Sequence, residues 1–292
     1  VETFVLAHNY QRPDVQLMAD CVGDSLEMAL EAREIDADRI VMCGVDFMAE
    51  VVKALNPDRE VVVPDHRAAC GMAMRLRVEE LREFRREHPD AAVVAYVNTS
   101  AEVKAEADVM CTSANAVEVV SSLPEDKIIF VPDGNLAAWV QKHVPDKEII
   151  PFPEHGSCPV HHSLSPSDLR ELCSRHPDAA VVVHPECPPE VCAMADFVGS
   201  TSQIRRYCEK ENISKIVMGT EEGLAFRIRR ETGTEVIVPG HMVCADMKIN
   251  TGEKVERVLE ARHVPKPLIV ELDSDLISQV EEIVEEMFRL TR

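Results

Sequence analysis

No stretch of this sequence approaches the apolar length that a membrane-spanning helix needs, and no secretory leader pattern is present. Positive charge is scarce: 31 Lys and Arg face 52 Asp and Glu, for a net charge of −21. Nucleic-acid phosphates and anionic membrane surfaces are bound by basic surface, so both are poor partners for this chain. C-x-x-C pairs are missing among the ten cysteines. That argues against a zinc ribbon and against a bacterial-type ferredoxin. G-x-x-x-x-G-K-[ST] is absent and no convincing G-x-G-x-x-G occurs, so nucleotide binding has no support. A disulfide scaffold is equally unsupported, because the chain is long, the cysteine spacings are wide and several cysteines sit in apolar runs. Such cysteines suit a reducing compartment, and a cytoplasmic location is expected.

What the sequence does hold is one passage written three times. VLAHNYQRPDVQLMADCVGDS is followed by VAYVNTSAEVKAEADVMCTS and then by VVHPECPPEVCAMADFVGST. His8, Tyr96 and His184 lead the copies and step by 88 residues. Asp20, Asp108 and Asp196 keep the same step, as do Ser25, Ser113 and Thr201. Cys70, Cys158 and Cys244 step by 88 and 86, each after a strand-like run ending in proline. A period this long is a small domain, not a solenoid unit. Three homologous α/β domains are expected, over 1–88, 89–176 and 177–292, the third carrying a C-terminal helix. If they pack about a pseudo-threefold axis, one cysteine from each meets near it. The chain opens almost directly in the strand VETFVLA, which leaves room for a native N-terminal segment ahead of it.

Strand and helix patterns alternate, which predicts parallel sheets covered on both faces. FVLA at 4–7 is a buried strand, and Pro13 suits the first turn of a helix running to about Asp20. GDSLEMALEAREI opens a second helix, with Asp24 or Ser25 as N-cap and Glu27 at capping-box spacing. RIVMCG at 39–44 and EVVVP at 60–64 are strands, separated by a helix that Pro57 ends, and a helix follows at 77–87. In the second copy Thr112 or Ser113 is expected to cap a helix beginning near Ala114. The third copy repeats the order, and PLIVEL and a helix at about 274–290 close the chain. Charges on that last helix read as a solvated face.

Cysteine in an apolar run is ordinarily core packing, which accounts for Cys21, Cys43, Cys111, Cys173 and Cys208. Cys187 and Cys192, in CPPEVC, fit packing better than a redox pair. Cys70, Cys158 and Cys244 differ, because they share one register in Gly- or Pro-marked loops. Soft thiolates select zinc or iron–sulfur clusters, and three in place of the usual four leave one iron of a cubane free. His8, Tyr96 and His184 end strands, where ligands bind in open α/β sheets. Tyr10, Asn98 and Glu186 follow two residues later and point the same way in extended chain. Glu186 is the one carboxylate among the six and hence the candidate base. Asp20, Asp108 and Asp196 read as structural anchors of the loop before the second helix. Ser25, Ser113 and Thr201 begin helices, where free N–H groups cap the chain and also hold carboxylate or phosphate.

HNYQ at 8–11, GDS at 23–25, GVDFMAE at 44–50, YVNTSAEVKA at 96–105, CTSANA at 111–116, PDGNL at 132–136, HPEC at 184–187, VGSTS at 198–202 and GTEEG at 219–223 together resemble the quinolinate synthase (NadA) family over essentially the whole chain. The resemblance implies three α/β domains in a triangle, with a 4Fe–4S cluster held by Cys70, Cys158 and Cys244 where they meet. It implies a condensation of iminoaspartate with dihydroxyacetone phosphate to quinolinate, in NAD biosynthesis. L-aspartate oxidase or aspartate dehydrogenase is the implied functional partner. His8, Ser25, Tyr96, Asn98, Ser113, His184, Glu186 and Thr201 would line the substrate pocket. Glu186, His184, Tyr10 and Tyr96 would move protons there, and a free iron would act as Lewis acid. Two departures are visible: CGMA stands at Cys70 where the family often has a C-S-L-A-like run, and little precedes the first strand. A non-enzymatic iron–sulfur carrier or redox sensor, or a structural zinc protein, are the rival readings.

Overall fold

The computed structural model describes residues 1–291; Arg292, the end of the third expected repeat, lies outside. Its three sheets have the same strand order. The first holds β1 (Thr3–His8), β2 (Cys21–Gly23), β3 (Arg39–Cys43) and β4 (Glu60–Val62) in the order β2-β1-β3-β4. The second holds β5 (Ala91–Tyr96), β6 (Val109–Cys111), β7 (Lys127–Val131) and β8 (Glu148–Pro151) in the order β6-β5-β7-β8. The third holds β9 (Ala180–Val183), β10 (Phe197–Val198), β11 (Lys215–Gly219) and β12 (Glu235–Ile237) in the order β10-β9-β11-β12. Every pairing within these sheets is parallel. Central strands such as β3 and β5 are buried throughout, as near-continuous apolar runs require when helices cover both faces.

The second strand of each sheet differs from the sequence expectation. The helix from Pro13 ends at Gln16 rather than near Asp20, and Cys21–Gly23 becomes an edge strand. Asp20 is the cause. Its backbone N–H donates to the Val5 carbonyl at 2.9 Å, and its carboxylate accepts from the Val5 N–H at 2.8 Å. The turn is thereby committed to the ladder of β1. Asp108 does the same to Val93, and Asp196 to Val181. The repeated aspartates are therefore anchors, on the central strand of each sheet.

Helix starts also differ in one copy. Asp24 is the N-cap of Ser25–Ala32, accepting from the Glu27 N–H at 2.9 Å. Ser200 caps Thr201–Lys210. Ser113 caps nothing, because the helix begins at Ala116. Asn115 turns its Oδ1 back onto the Thr112 N–H (2.7 Å) and closes the loop before the helix can start.

After Cys244 the chain leaves the third sheet. PLIVEL runs back to the first: Ile269 bridges Val62 in antiparallel fashion, and Val270 N–H donates to the Val61 carbonyl at 2.8 Å. The helix Ser274–Leu290 buries Val280, Ile283, Val284, Met287 and Phe288 in a core shared with Val51, Ala101, Met110 and Val119. It thus straps the first two sheets together while its charged face meets solvent. No helix among the described residues is long and apolar enough to cross a membrane.

Candidate functional site

Parallel strands deliver their C-terminal ends to one side, and here three such ends face a common cavity. All twelve residues singled out in the sequence line it: His8, Tyr10, Tyr96, Asn98, His184 and Glu186 from the strand ends, Ser25, Ser113 and Thr201 from the following turns, and Cys70, Cys158 and Cys244 from the loops. No Lys or Arg is among the lining residues. Gly223 brings the first and third repeats close at this point. A Cβ there would lie 2.7 Å from the Tyr10 carbonyl carbon, so only glycine lets Tyr10 sit where it does.

A continuous chain of polar side chains runs beside the cavity. Tyr10 Oη lies 2.7 Å from Thr220 Oγ1 and 3.2 Å from His161 Nε2, and Thr220 Oγ1 is itself 2.8 Å from that nitrogen. The other ring nitrogen, His161 Nδ1, is 3.0 Å from Glu186 Oε2 and 3.2 Å from Cys158 Sγ. Glu186 Oε2 also lies 3.2 Å from His184 Nδ1, and His184 Nε2 faces Ser113 Oγ at 3.2 Å. Burial alone would raise the Glu186 carboxyl, but the imidazoles of His161 and His184 outweigh it and hold the group below its ordinary range. Glu186 is therefore a carboxylate at neutral pH. Its second oxygen, Oε1, is buried and has no hydrogen-bond partner among the described residues. Burial lowers His8 to about 4, and His8 Nδ1 accepts the Tyr10 N–H at 3.1 Å, so its ring is neutral. Burial together with the Glu186 charge raises the Tyr10 and Tyr96 phenols, which stay protonated.

The cysteine loops are held by their backbones. Cys70, Cys158 and Cys244 each give their N–H to a carboxylate, of Asp46, Asp133 and Glu221 respectively. Burial pushes the Cys70 thiol to about 12 and that of Cys244 to about 11, and raises Cys158 well above its usual value. Such thiols ionise when a cation takes the place of the proton. Cys158, His161 and Glu186 by themselves place a sulfur, a nitrogen and an oxygen within 4.8 Å of one another, a group that could hold a metal ion.

Some of these residues were legible and some were not. Asp46, Asp133 and Glu221 went unnoticed in the sequence, although they step by 87 and 88 residues and so keep the period. His161 and Thr220 have no such signal: the matching positions are Ala73 and Met247 for the first, Val45 and Pro132 for the second.

Known proteins resemble this chain over essentially its whole length. Residues 1–289 match the family model described as NadA, quinolinate synthetase A protein. The chain is 94% identical over 292 residues to a quinolinate synthase of Methanopyrus kandleri, covering 100% of both. It is 45% identical over 288 residues to the quinolinate synthase of Thermodesulfovibrio yellowstonii, with 98% of this chain and 93% of that one covered. Against the quinolinate synthase of Thermotoga maritima it is 45% identical over 287 residues, covering 98% and 94%. With full-length identity at these levels, the chain belongs to the quinolinate synthase family of NAD biosynthesis.

Proposed function

We propose that this cavity condenses iminoaspartate with dihydroxyacetone phosphate to give quinolinate, phosphate and two waters, with Cys70, Cys158 and Cys244 holding a 4Fe–4S cluster. The observation that carries the reading is the meeting, on one cavity, of three loop cysteines from three sheets with the buried, partnerless Glu186 Oε1. The donor set fits the group: three thiols are the soft ligands that iron–sulfur clusters take, and they leave one iron without a cysteine. When bound, such a cluster supplies a Lewis acid for a hydroxyl or carboxylate oxygen.

Binding falls to uncharged donors. His8, Ser25, Asn98, Ser113 and Thr201 offer N–H and O–H groups to the carboxylates and phosphate of the substrates. Ser25 and Thr201 add the free N–H groups of the helices they begin. A chain of net charge −21 thus meets anionic ligands without a lining cation. Proton movement falls to the buried chain. Glu186 takes a proton from carbon or nitrogen at Oε1, His184 and His161 hold the carboxylate in place, and His161 with Thr220 passes a proton to or from Tyr10 Oη. Tyr96, beside them, donates to a departing hydroxyl. Closing this work off from water is the task of the three repeats, over 1–88, 89–176 and 177–292, that surround the cavity.

Iminoaspartate is made by oxidising aspartate, so L-aspartate oxidase or aspartate dehydrogenase supplies the substrate, in a reducing cytoplasm that keeps the cysteines out of disulfides. An electron carrier or redox sensor would not need the Tyr10–Thr220–His161–Glu186 chain. The test is anaerobic reconstitution with iron and sulfide followed by an assay for quinolinate. The expected result is turnover in the wild type and neither cluster nor turnover in Cys158→Ala. A full cluster with no quinolinate formed from fresh iminoaspartate would favour the carrier.

A further inference from the structure

Each loop cysteine gives its backbone N–H to a carboxylate, and the three carboxylates occupy one position of the repeat. The Cys70 N–H reaches Asp46 Oδ1 at 3.0 Å, that of Cys158 reaches Asp133 Oδ2 at 2.9 Å, and that of Cys244 reaches Glu221 Oε1 at 3.1 Å. In every repeat the acid follows the third strand, and the cysteine lies in the loop after the fourth. These loops have no ladder of their own to fix them. A carboxyl oxygen is a ready acceptor for a backbone N–H, and Asp133 and Glu221 are fully buried.

The three acids use their oxygens differently. Asp46 accepts twice on one atom: Oδ1 takes the Phe47 N–H at 2.9 Å as well as that of Cys70. Asp133 divides its bonds, with Oδ1 on the Leu136 N–H at 2.7 Å and Oδ2 on that of Cys158. Glu221 divides them too. Its Oε2 takes the Gly223 N–H at 2.7 Å, while Oε1 takes Cys244 N–H and pairs with Lys248 Nζ at 2.9 Å. Lys248 in turn donates to the Tyr10 carbonyl at 2.8 Å, which links the Cys244 loop to the strand end of the first repeat.

We propose that Asp46, Asp133 and Glu221 are positioning residues for the metal centre, fixing the backbone of each cysteine so that three thiols face one cavity before any metal arrives. The inference rests on the reading of the three cysteines as cluster ligands. A loop ordered beforehand loses less freedom on binding, so the acids should govern how long iron is retained. The oxygen pattern makes the inference sharp. Asparagine at 46 keeps an oxygen for both N–H groups. An amide at 133 or 221 must turn its NH2 against one of two donors.

The experiment uses anaerobically reconstituted full-length protein and follows the rate of iron loss to a ferrous chelator, with sulfide content and the cluster absorbance measured alongside. Asp46→Ala, Asp133→Asn and Glu221→Gln should each release iron roughly tenfold faster than wild type, the scale of one lost hydrogen bond. Asp46→Asn should match wild type. Thermal midpoints of the cluster-free proteins report whether folding is intact. If Asp46→Asn leaks as fast as Asp46→Ala, charge and not bond geometry is at work, and the inference is overturned. Wild-type retention in Asp133→Asn and Glu221→Gln overturns it equally. Should a buried variant fail to fold, the Asp46 pair decides alone. A wild-type protein that takes up no cluster defeats the cluster reading first, and this inference with it.

Discussion

Replacing Glu186 by Gln exchanges one oxygen for an NH2 and leaves the side-chain volume almost unchanged. The structure separates what this does to folding from what it does to catalysis. Glu186 Oε2 meets both His161 Nδ1 (3.0 Å) and His184 Nδ1 (3.2 Å), whereas Oε1 has no hydrogen-bond partner among the described residues. An amide can put its oxygen in the Oε2 position and its NH2 in the vacant one. Only the charge on two contacts is then lost, which costs about 1–2 kcal/mol and lowers the melting midpoint of a chain this size by a few degrees. Catalysis is affected far more, because a neutral amide takes no proton. A positioned base contributes about 10²–10⁴-fold, so turnover should fall by that factor. The assay is the initial rate of quinolinate formation at equal iron content, with the cluster absorbance as control. The two imidazoles keep Glu186 ionised and His8 titrates near 4, so neither group should impose an acid limb on wild-type turnover above about pH 5. A Glu186→Gln protein with full iron and turnover within tenfold of wild type would place the base elsewhere.

Four further outcomes are expected. Cys158→Ala should lose the cluster, whereas Cys43→Ala and Cys111→Ala, at wholly buried strand positions, should keep normal iron content and lose only packing stability; iron analysis after reconstitution distinguishes them. Gly223→Ala should displace Tyr10, because the added methyl meets backbone atoms at 2.7–2.8 Å, costing about 1–3 kcal/mol of stability and most of the turnover; wild-type kinetics would show that Tyr10 need not sit there. Lys104 is buried beside the Phe47 ring, donates to the Thr99 carbonyl, and is lowered by burial to about 8. Its folded pKa lies below its unfolded one, so the unfolded chain holds more protons between about pH 8 and 10.5, and stability rises across that window. The stability of wild type relative to Lys104→Met should therefore increase by up to about 3 kcal/mol from pH 8 to 10.5, and a flat difference in denaturant titrations would refute the burial argument. Asp108→Ala should cost about 1.5–3 kcal/mol by freeing the Val93 N–H at the central strand, whereas Glu148→Ala on an exposed site should leave the melting midpoint unchanged in calorimetry.

Period was the feature that made this molecule legible. Strand ends, loop cysteines and anchoring aspartates stand out in the sequence because each occurs three times, and a threefold coincidence needs no alignment to be noticed. The edge strands did not stand out. Cys21–Gly23, Val109–Cys111 and Phe197–Val198 are two or three residues long, too short for an alternating pattern, and they exist because an aspartate turns the chain back onto the central strand. Ser113 was misplaced for a similar reason. The capping positions of the other copies hold Asp24 and Ser200, but here Asn115 bonds back to Thr112 and delays the helix, which frees the Ser113 hydroxyl to face His184.

Residues that break the period were harder to find, and the chemistry explains why. On the proposed reading, a metal bound by three equivalent thiols is served by three equivalent loops, so the cysteines and the acids behind them repeat. Iminoaspartate and dihydroxyacetone phosphate have no threefold symmetry, and a cavity that treats their ends differently must be unlike itself from one repeat to the next. The register 10, 98, 186 reads Tyr, Asn, Glu; the register 73, 161, 247 reads Ala, His, Met; the register 45, 132, 220 reads Val, Pro, Thr. In the last two registers one repeat alone carries a group of the buried polar chain, His161 or Thr220, and in the first, two repeats carry different ones, Tyr10 and Glu186. Tyr10 joins them from the first repeat through Thr220 and His161, and Lys248 reaches its carbonyl from the third. Symmetry thus builds the cavity and the three cysteines proposed to hold its metal, and departures from symmetry fit it for a reaction whose substrates have two different ends.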